Sequence, residues 1–461
     1  MRDYGLTAFI IALLPLCLMR PWIGIVVWYW FGLMNPHRHT WDFAFSMPFA
    51  ALIGGATLIG AVMDTKDRKP IPWNAGLILV MVLVLYFTMT TIPAWAPEPA
   101  WLQWRKVIKI ALMTFVATMF IYGRERIYAL MLTIALSIGF YGMKGFLFVV
   151  RSGGSERVQG PDGTFIEGNT FMGLALNMVL PILIYLARGE QRVWLRRLLY
   201  TTAAMTVVSI IFTYSRGAYV GLAVIVPMIF WRSQKKLLYG LVIALAVVMA
   251  PHVLPDSVFK RADLIENYEE DSSATQRLQS WTVAWNLAKD YPLTGAGFEF
   301  EYASARDRWL QYGSDKYSWA LSHSSAAHSI YFQVLGQHGF VAFGLYLALL
   351  IGSLVSLQRL RARARASPGM EWIANYATGL QIGLVGYMVS GAFLSSAYFD
   401  LAYLYFALIA ILWREMKSVA QPSGTAVALP ESAAANPLEM VTPRPGMPMP
   451  SKVALQRAHR N

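Results

Sequence analysis

Arg216 stands in Tyr214-Ser215-Arg216-Gly217, between two apolar runs at 199–212 and 218–231. A charge beside lipid is costly, so its presence is a functional hypothesis. Arg277 follows in a long polar stretch, and His328 opens another apolar run in Ala327-His328-Ser329-Ile330-Tyr331. Arginine meets phosphate oxygens bidentately, which lysine cannot. An unperturbed imidazole titrates near pH ~6.5, so His328 can take a proton from a hydroxyl at neutral pH. Two arginines and an imidazole at the mouths of apolar helices point to an anionic ligand handled at a bilayer surface. The bland alternatives are snorkelling onto lipid phosphate for Arg105, Lys106 and Arg216, and a polar helix cap for His328.

Other groups are less decisive. Lys144 sits inside an apolar run, and Arg105, Lys106 and Lys109 cluster at the start of another. His338 lies ten residues past His328, ~15 Å deeper at ~1.5 Å per residue. That depth argues for polar packing, or for catalysis only where the helix rises above the membrane. His323, in Ser322-His323-Ser324-Ser325, reads as a loop residue, and its five-residue spacing from His328 suits a helical metal site poorly. The chain has no phosphate-binding P-loop, no paired-cysteine zinc spacing and no nucleophile elbow.

These groups need a membrane scaffold. Apolar residues make up 56% of the chain, charged residues 14%, and the mean hydropathy is +0.44. A soluble core of one chain cannot hide so much apolar surface. No cleavable signal peptide is expected. The single cysteine, Cys17, rules out an intramolecular disulfide. The net charge of +13 reads as positive-inside loops rather than as nucleic-acid binding.

A span needs ~20 apolar residues. Candidates fall at 45–63, 73–92, 107–122, 127–150, 171–187, 199–212, 218–231, 238–253, 329–357, 373–393 and 398–413. Residues 4–35 form either one interrupted span or a tight hairpin at Arg20-Pro21. Basic short connections at 64–69, 123–126, 188–197, 232–236 and 359–365 recur at every second junction, which makes their side cytoplasmic. With both termini inside, the expected count is even, and twelve spans are expected. The longer connections 35–44, 151–169 and 254–327 then share the outer face.

The fold class is thus an all-α polytopic membrane protein with about 12 transmembrane helices and one large periplasmic helical loop. Four regions are expected: transmembrane helices over 1–253, the loop over 254–327, further transmembrane helices over 328–414, and a disordered cytoplasmic tail over 415–461. In the loop, 276–288 is helical with Leu278, Trp281, Trp285 and Ala288 on one stripe. Pro292 and the glycines of Tyr291-Pro292-Leu293-Thr294-Gly295-Ala296-Gly297 end that helix, and a second helix is expected over 302–312.

Four stretches carry a family resemblance. They are Thr213-Tyr214-Ser215-Arg216-Gly217-Ala218; Arg277-Leu278 with Trp281; Pro292-Leu293-Thr294-Gly295-Ala296-Gly297; and His328-Ser329, nine residues, then Gly339. In that order they resemble the bacterial O-antigen ligase superfamily, which also holds O-antigen polymerases and protein O-oligosaccharyltransferases. Residues 160–169 and 174–181 are similar to the exosortase-associated O-glycosylation ligases. Ser329 replaces the commoner Asn, and Ala342 stands where the ligase pattern often has Gly, Thr or Tyr.

The resemblance implies a GT-C-like architecture in the bacterial inner membrane, with its site facing the periplasm. It implies an O-antigen ligase that moves a glycan from undecaprenyl pyrophosphate to a hydroxyl of lipid A-core, with inversion. By it, Arg216 and Arg277, with Lys144, Arg105 or Lys106, hold the diphosphate. His328 is the base, with His338 as a further catalytic candidate, and Ser215, Gly295, Gly297 and Tyr331 contact substrate. Arginines and a good leaving group require no metal or other cofactor. The alternatives are an O-antigen polymerase or protein O-oligosaccharyltransferase, a polytopic transporter, and a non-catalytic assembly protein.

Overall fold

The computed structural model describes residues 1–233, 272–314 and 324–420, together with Lys236 and Gly240. The expected span at 238–253, the loop histidine His323 and the tail from 421 onward lie outside the described residues. Among the described residues the chain is helical and has no strand, only a backbone bridge between Gly160 and Gly168. In hydrocarbon every backbone polar group must be satisfied within its own segment, and helices do this.

The helices are α1 (Arg2–Met19), α2 (Pro21–Met34), α3 (Phe49–Met63), α4 (Ala75–Thr91), α5 (Pro97–Phe120), α6 (Gly123–Ser152), α7 (Gly168–Gly189), α8 (Val193–Ile211) and α9 (Arg216–Trp231). After the undescribed stretch come α10 (Ser272–Asp290), the short α11 (Arg306–Leu310), α12 (Ile330–Arg365), α13 (Glu371–Gly391) and α14 (Asp400–Ala420). Four of them, α1, α6, α7 and α12, are long and apolar enough to cross a membrane, and α2, α3, α4 and α9 are shorter apolar helices. Residues Met1–Ser418 form one compact unit. Val419–Asn461 group separately, and only Val419 and Ala420, the last residues of α14, are described there.

Helix α7 sits at the centre. It is buried along most of its length and packs on α6, α8, α9 and α13. Asn177 Nδ2 on its buried face donates to the Ala218 carbonyl and to Ser390 Oγ, tying α7 to α9 and α13.

One end of the bundle gathers the basic connections. Arg126 pairs with Asp67 at 2.8 Å, Tyr128 donates to Glu190, and Arg414 donates to the carbonyls of Thr118 and Ile121. Asp67 is held below the usual carboxylate range mainly by hydrogen bonds from Arg126 and Tyr122, against its burial, with Arg20 also contributing.

Arg20 at that end settles the N-terminal segment as a hairpin. The chain breaks at Arg20-Pro21, and Asp3 Oδ1 accepts from the backbone N–H groups of Asp42 and Ala44, beyond the end of α2. The start of α1 therefore lies at the end opposite the basic connections. An N-terminus on the basic side, which the even count assumed, does not fit this geometry. Hydropathy alone could not decide it, because a one-residue turn leaves almost no polar gap.

Smaller differences have local causes. The helix expected over 302–312 shrinks to a 3-10 turn at Ala303–Ala305 followed by α11. Helix α14 runs to Ala420, past the boundary expected at 414. In α10 the buried face is Gln279, Ser280, Val283, Ala284, Leu287 and Ala288, while Trp285 is 47% exposed. Trp281 and Trp285 instead meet Phe332 and Phe340 of α12, by face stacking and edge contact.

Candidate functional site

At the end opposite the basic connections a polar cavity of about 170 Å³ is lined by Arg157, Asn169, Thr170, Tyr214, Ser215, Arg216, Gly217, Arg277 and Phe393. Two helices begin at it. Asn169 and Thr170 belong to the first turn of α7, and Arg216 and Gly217 open α9. A helix N-terminus presents unpaired N–H groups and a partial positive charge, so two of them beside three arginines favour an anion with several oxygens.

The local sequence builds this arrangement. Helix α8 ends at Ile211, and Tyr214 turns the chain with φ 53°. Ser215 then caps α9, its Oγ accepting from the Ala218 N–H. Tyr214 Oη donates to the Gly154 carbonyl at 2.5 Å, and the Val158 N–H donates to the Phe212 carbonyl. These bonds strap the 153–158 loop to the α8–α9 turn and hold Arg157 at the cavity. Asn169 Nδ2 donates to the Thr213 carbonyl, fixing α7 to the same turn.

Arg277 comes from α10, which also carries the segment before α12. Trp281 Nε1 donates to the Ala327 carbonyl at 2.7 Å, and Ser280 Oγ to the Ser325 carbonyl. The His328 N–H donates to Ser395 Oγ at 2.8 Å, and Ser329 caps α12 by accepting from the Tyr331 N–H. His328 is half-buried, with φ 44°. Burial, and then the charge of Arg277, hold its imidazole below the ordinary pKa. Four described non-glycine residues have left-handed backbone, Asn35, Tyr214, Glu299 and His328. Two of the four are at this site, where strained conformations collect when geometry serves function.

Of the residues expected from sequence, Ser215, Arg216 and Arg277 line the one cavity, and His328 lies within electrostatic reach of Arg277. Lys144 is not in it. With Tyr141, Phe148 and again Arg157, it lines a neighbouring cavity of about 320 Å³. Arg105 and Lys106 are exposed on α5, and Lys106 faces Glu299. Tyr331 Oη donates to the Met388 carbonyl, away from the arginines.

His338 is fully buried. Thr90 Oγ1 lies 2.6 Å from its Nδ1, Tyr398 Oη lies 2.9 Å from its Nε2, and Phe87 stacks on the ring. Both nitrogens have partners in the core, and His338 does not line the arginine cavity. Gly295 and Gly297 do not line the arginine cavity either. Their N-terminal neighbour Pro292 begins a turn that plugs a break in α12. At Gly339 the helix has φ 77° and ψ −175°. The freed carbonyls of Gly336 and Gln337 accept from the N–H groups of Ala296 and Gly297, and the Phe340 N–H donates to the Pro292 carbonyl. All three displaced groups are repaired, as burial requires.

Arg157, Thr170 and Phe393 are cavity residues that the sequence reading missed. Arg157 had a visible signal, a cation in the 151–169 connection on the outer face, the same anomaly that marked Arg216.

Residues 201–347 match the family model described as O-antigen ligase, and this span contains Arg216, Arg277, His328 and Gly339. Residues 201–347 thus carry an O-antigen ligase family domain, which supports the O-antigen ligase superfamily. No curated protein matches the chain. Residues 1–191 match a family of unknown function, DUF5935, and that segment supplies Arg157, Asn169 and Thr170 to the cavity. The domain match supports O-antigen ligase- or polymerase-type function in general, which implies a lipid-linked glycan donor and a lipid-type acceptor. With the apolar helices it marks a membrane protein.

Proposed function

We propose that this protein is an O-antigen ligase, and that its arginine cavity holds the diphosphate of an undecaprenyl-pyrophosphate-linked glycan at the periplasmic face of the inner membrane. The convergence of Arg157, Arg216 and Arg277 with the N-termini of α7 and α9 carries this reading. On it, the 254–327 connection and the N-terminus are periplasmic, and the hairpin of α1 and α2 makes the number of crossings odd.

The chemistry follows from the charges. As the bond from the anomeric carbon to the pyrophosphate oxygen breaks, negative charge grows on the leaving oxygen. Arginines already in place stabilise it without reorganising, as oxyanion donors do. The acceptor hydroxyl, most simply one on lipid A-core, attacks from the opposite face, which inverts the anomeric centre. His328 takes the hydroxyl proton or orients it. Donor and acceptor both reach the site by lateral diffusion in the bilayer, which adds a proximity gain. No metal is needed to hold the leaving group on this scheme. The resemblance of 160–169 to exosortase-associated ligases leaves an acceptor other than lipid A-core open to the same test.

Reconstitution tests the reading. Purified protein in proteoliposomes, given lipid-linked glycan and lipid A-core, is expected to yield glycosylated lipid with or without chelator. Longer lipid-linked glycans, or glycosylated Ser/Thr peptide when the acceptor is exchanged, would reassign it to polymerase or protein oligosaccharyltransferase.

The pH profile gives a second expectation. The His328 pKa is lowered by burial and by Arg277, so the neutral base prevails at pH 7. The transfer rate is expected to hold through neutrality and to fall only below the ordinary imidazole value of ~6.5. In Arg277→Gln one cause of the depression is gone, and the acid limb is expected to move upward. An acid limb that stays in place in this variant counts against His328 as the titrating base.

A further inference from the structure

A third cavity lies at the other end of α12 from His328. It measures about 550 Å³ and is formed by the start of α4, the distal half of α12 from Ala348 to Arg363, and the face of α14 bearing Phe406 and Trp413. At ~1.5 Å per residue these α12 positions lie ~27 Å or more from the helix start, so this cavity is separate from the arginine cavity.

Three features define what it fits. Its walls are apolar, from Leu79, Leu349, Phe406 and Ile409. Its floor is made of small residues, and a Cβ built on Gly352 meets no atom within 4 Å. No described side chain reaches that position. Arg359, Arg363 and Lys417 stand among its lining residues and no carboxylate does. Arg363 lies over the Trp413 ring at 5.1 Å, and Trp413 Nε1 donates to Ser356 Oγ at 2.7 Å, which fixes the aromatic wall under the cation.

We propose that this groove is a binding site for an anionic phospholipid, with its phosphate against Arg359, Arg363 and Lys417 and an acyl chain along Leu79, Leu349, Phe406 and Ile409. The argument is complementarity. An apolar helix of a partner protein would satisfy the walls and leave three cations without a counter-charge. An anionic lipid satisfies both, and basic groups at such a boundary attract anionic headgroups. The proposal does not depend on the transfer reaction.

The test uses the full chain in nanodiscs of phosphatidylcholine containing a minor fraction of phosphatidylglycerol, with retained lipid counted by native mass spectrometry. Wild type is expected to keep phosphatidylglycerol in preference to phosphatidylcholine. Arg359→Gln with Arg363→Gln removes two cations, each worth about fivefold in affinity, so retention is expected to fall about 25-fold. Gly352→Leu fills the recess without changing charge and is expected to abolish retention as well. Ala348→Phe serves the same purpose if Gly352→Leu does not fold. Equal retention of the two lipids by wild type overturns the proposal. So does loss on charge removal with full retention in the filled variant, which means surface adsorption, or a protein dimer in place of bound lipid.

Discussion

Arg216→Ala is expected to lower glycan transfer by about two to three orders of magnitude, the effect of deleting one preorganised donor to a developing anion. The side chain opens α9 behind the Ser215 cap, so its loss leaves the cap's hydrogen bond to the Ala218 N–H in place. The thermal midpoint is therefore expected to stay within a degree or two of wild type. Arg216→Lys keeps the charge and loses the planar fork, and is expected to fall between the two. The measurement is glycosylated lipid formed per minute in proteoliposomes, together with the face on which the lipid-linked donor accumulates. An enzyme stalled at transfer leaves donor on the periplasmic side, whereas a stalled flippase leaves it inside. A loss smaller than about threefold, or donor trapped inside, removes Arg216 from the chemistry.

Gly339→Ala is expected to damage the fold. Its backbone, at φ 77° and ψ −175°, lies in a region that only glycine occupies readily, and forcing a side chain there costs ~1–3 kcal/mol. The added Cβ would also sit 2.4 Å from the Pro292 carbonyl oxygen. The turn must retreat, and with it the bonds from Ala296, Gly297 and Phe340 that repair the broken helix. Gly344→Ala is the control, since a Cβ there meets nothing within 4 Å. In detergent, Gly339→Ala is expected to melt several degrees lower and to express poorly, with Gly344→Ala unchanged. Equal midpoints for the two would mean that α12 tolerates a regular helix at 339.

The contrast between these residues shows how far the sequence could be read. Apolar runs mark helices because hydrocarbon admits little else, so α3, α4, α6, α7, α9, α12 and α13 lie close to where hydropathy puts them. Arg216, Arg277 and His328 were legible because a charge beside lipid is an anomaly in itself. Gly339 was legible only as a letter at a fixed distance from His328. That spacing is the length of one helical segment, from the Ser329 cap to the break, and nothing in a one-dimensional pattern says that a turn forty residues earlier repairs it. For the same reason Gly295 and Gly297 were read as ligand contacts. The sense of the α1–α2 hairpin needed Asp3 to be seen beside Asp42. Arg157 was missed because no periodicity leads to it: its loop is held at the Gly154 carbonyl, by the Tyr214 hydroxyl, and at the Val158 N–H, by the Phe212 carbonyl, and the loop's own groups in both bonds are backbone.

The arginine cavity also draws residues from two stretches of chain that match different family models, 1–191 and 201–347. On the proposed function, donor recognition is then not a property that either stretch can carry away alone. A chimera joining the first part of one such protein to the second part of another would inherit Arg157 and the start of α7 from one parent, and Arg216 with Arg277 from the other. It would work only where the two parents set those groups to the same anion, so change in one stretch constrains change in its neighbour.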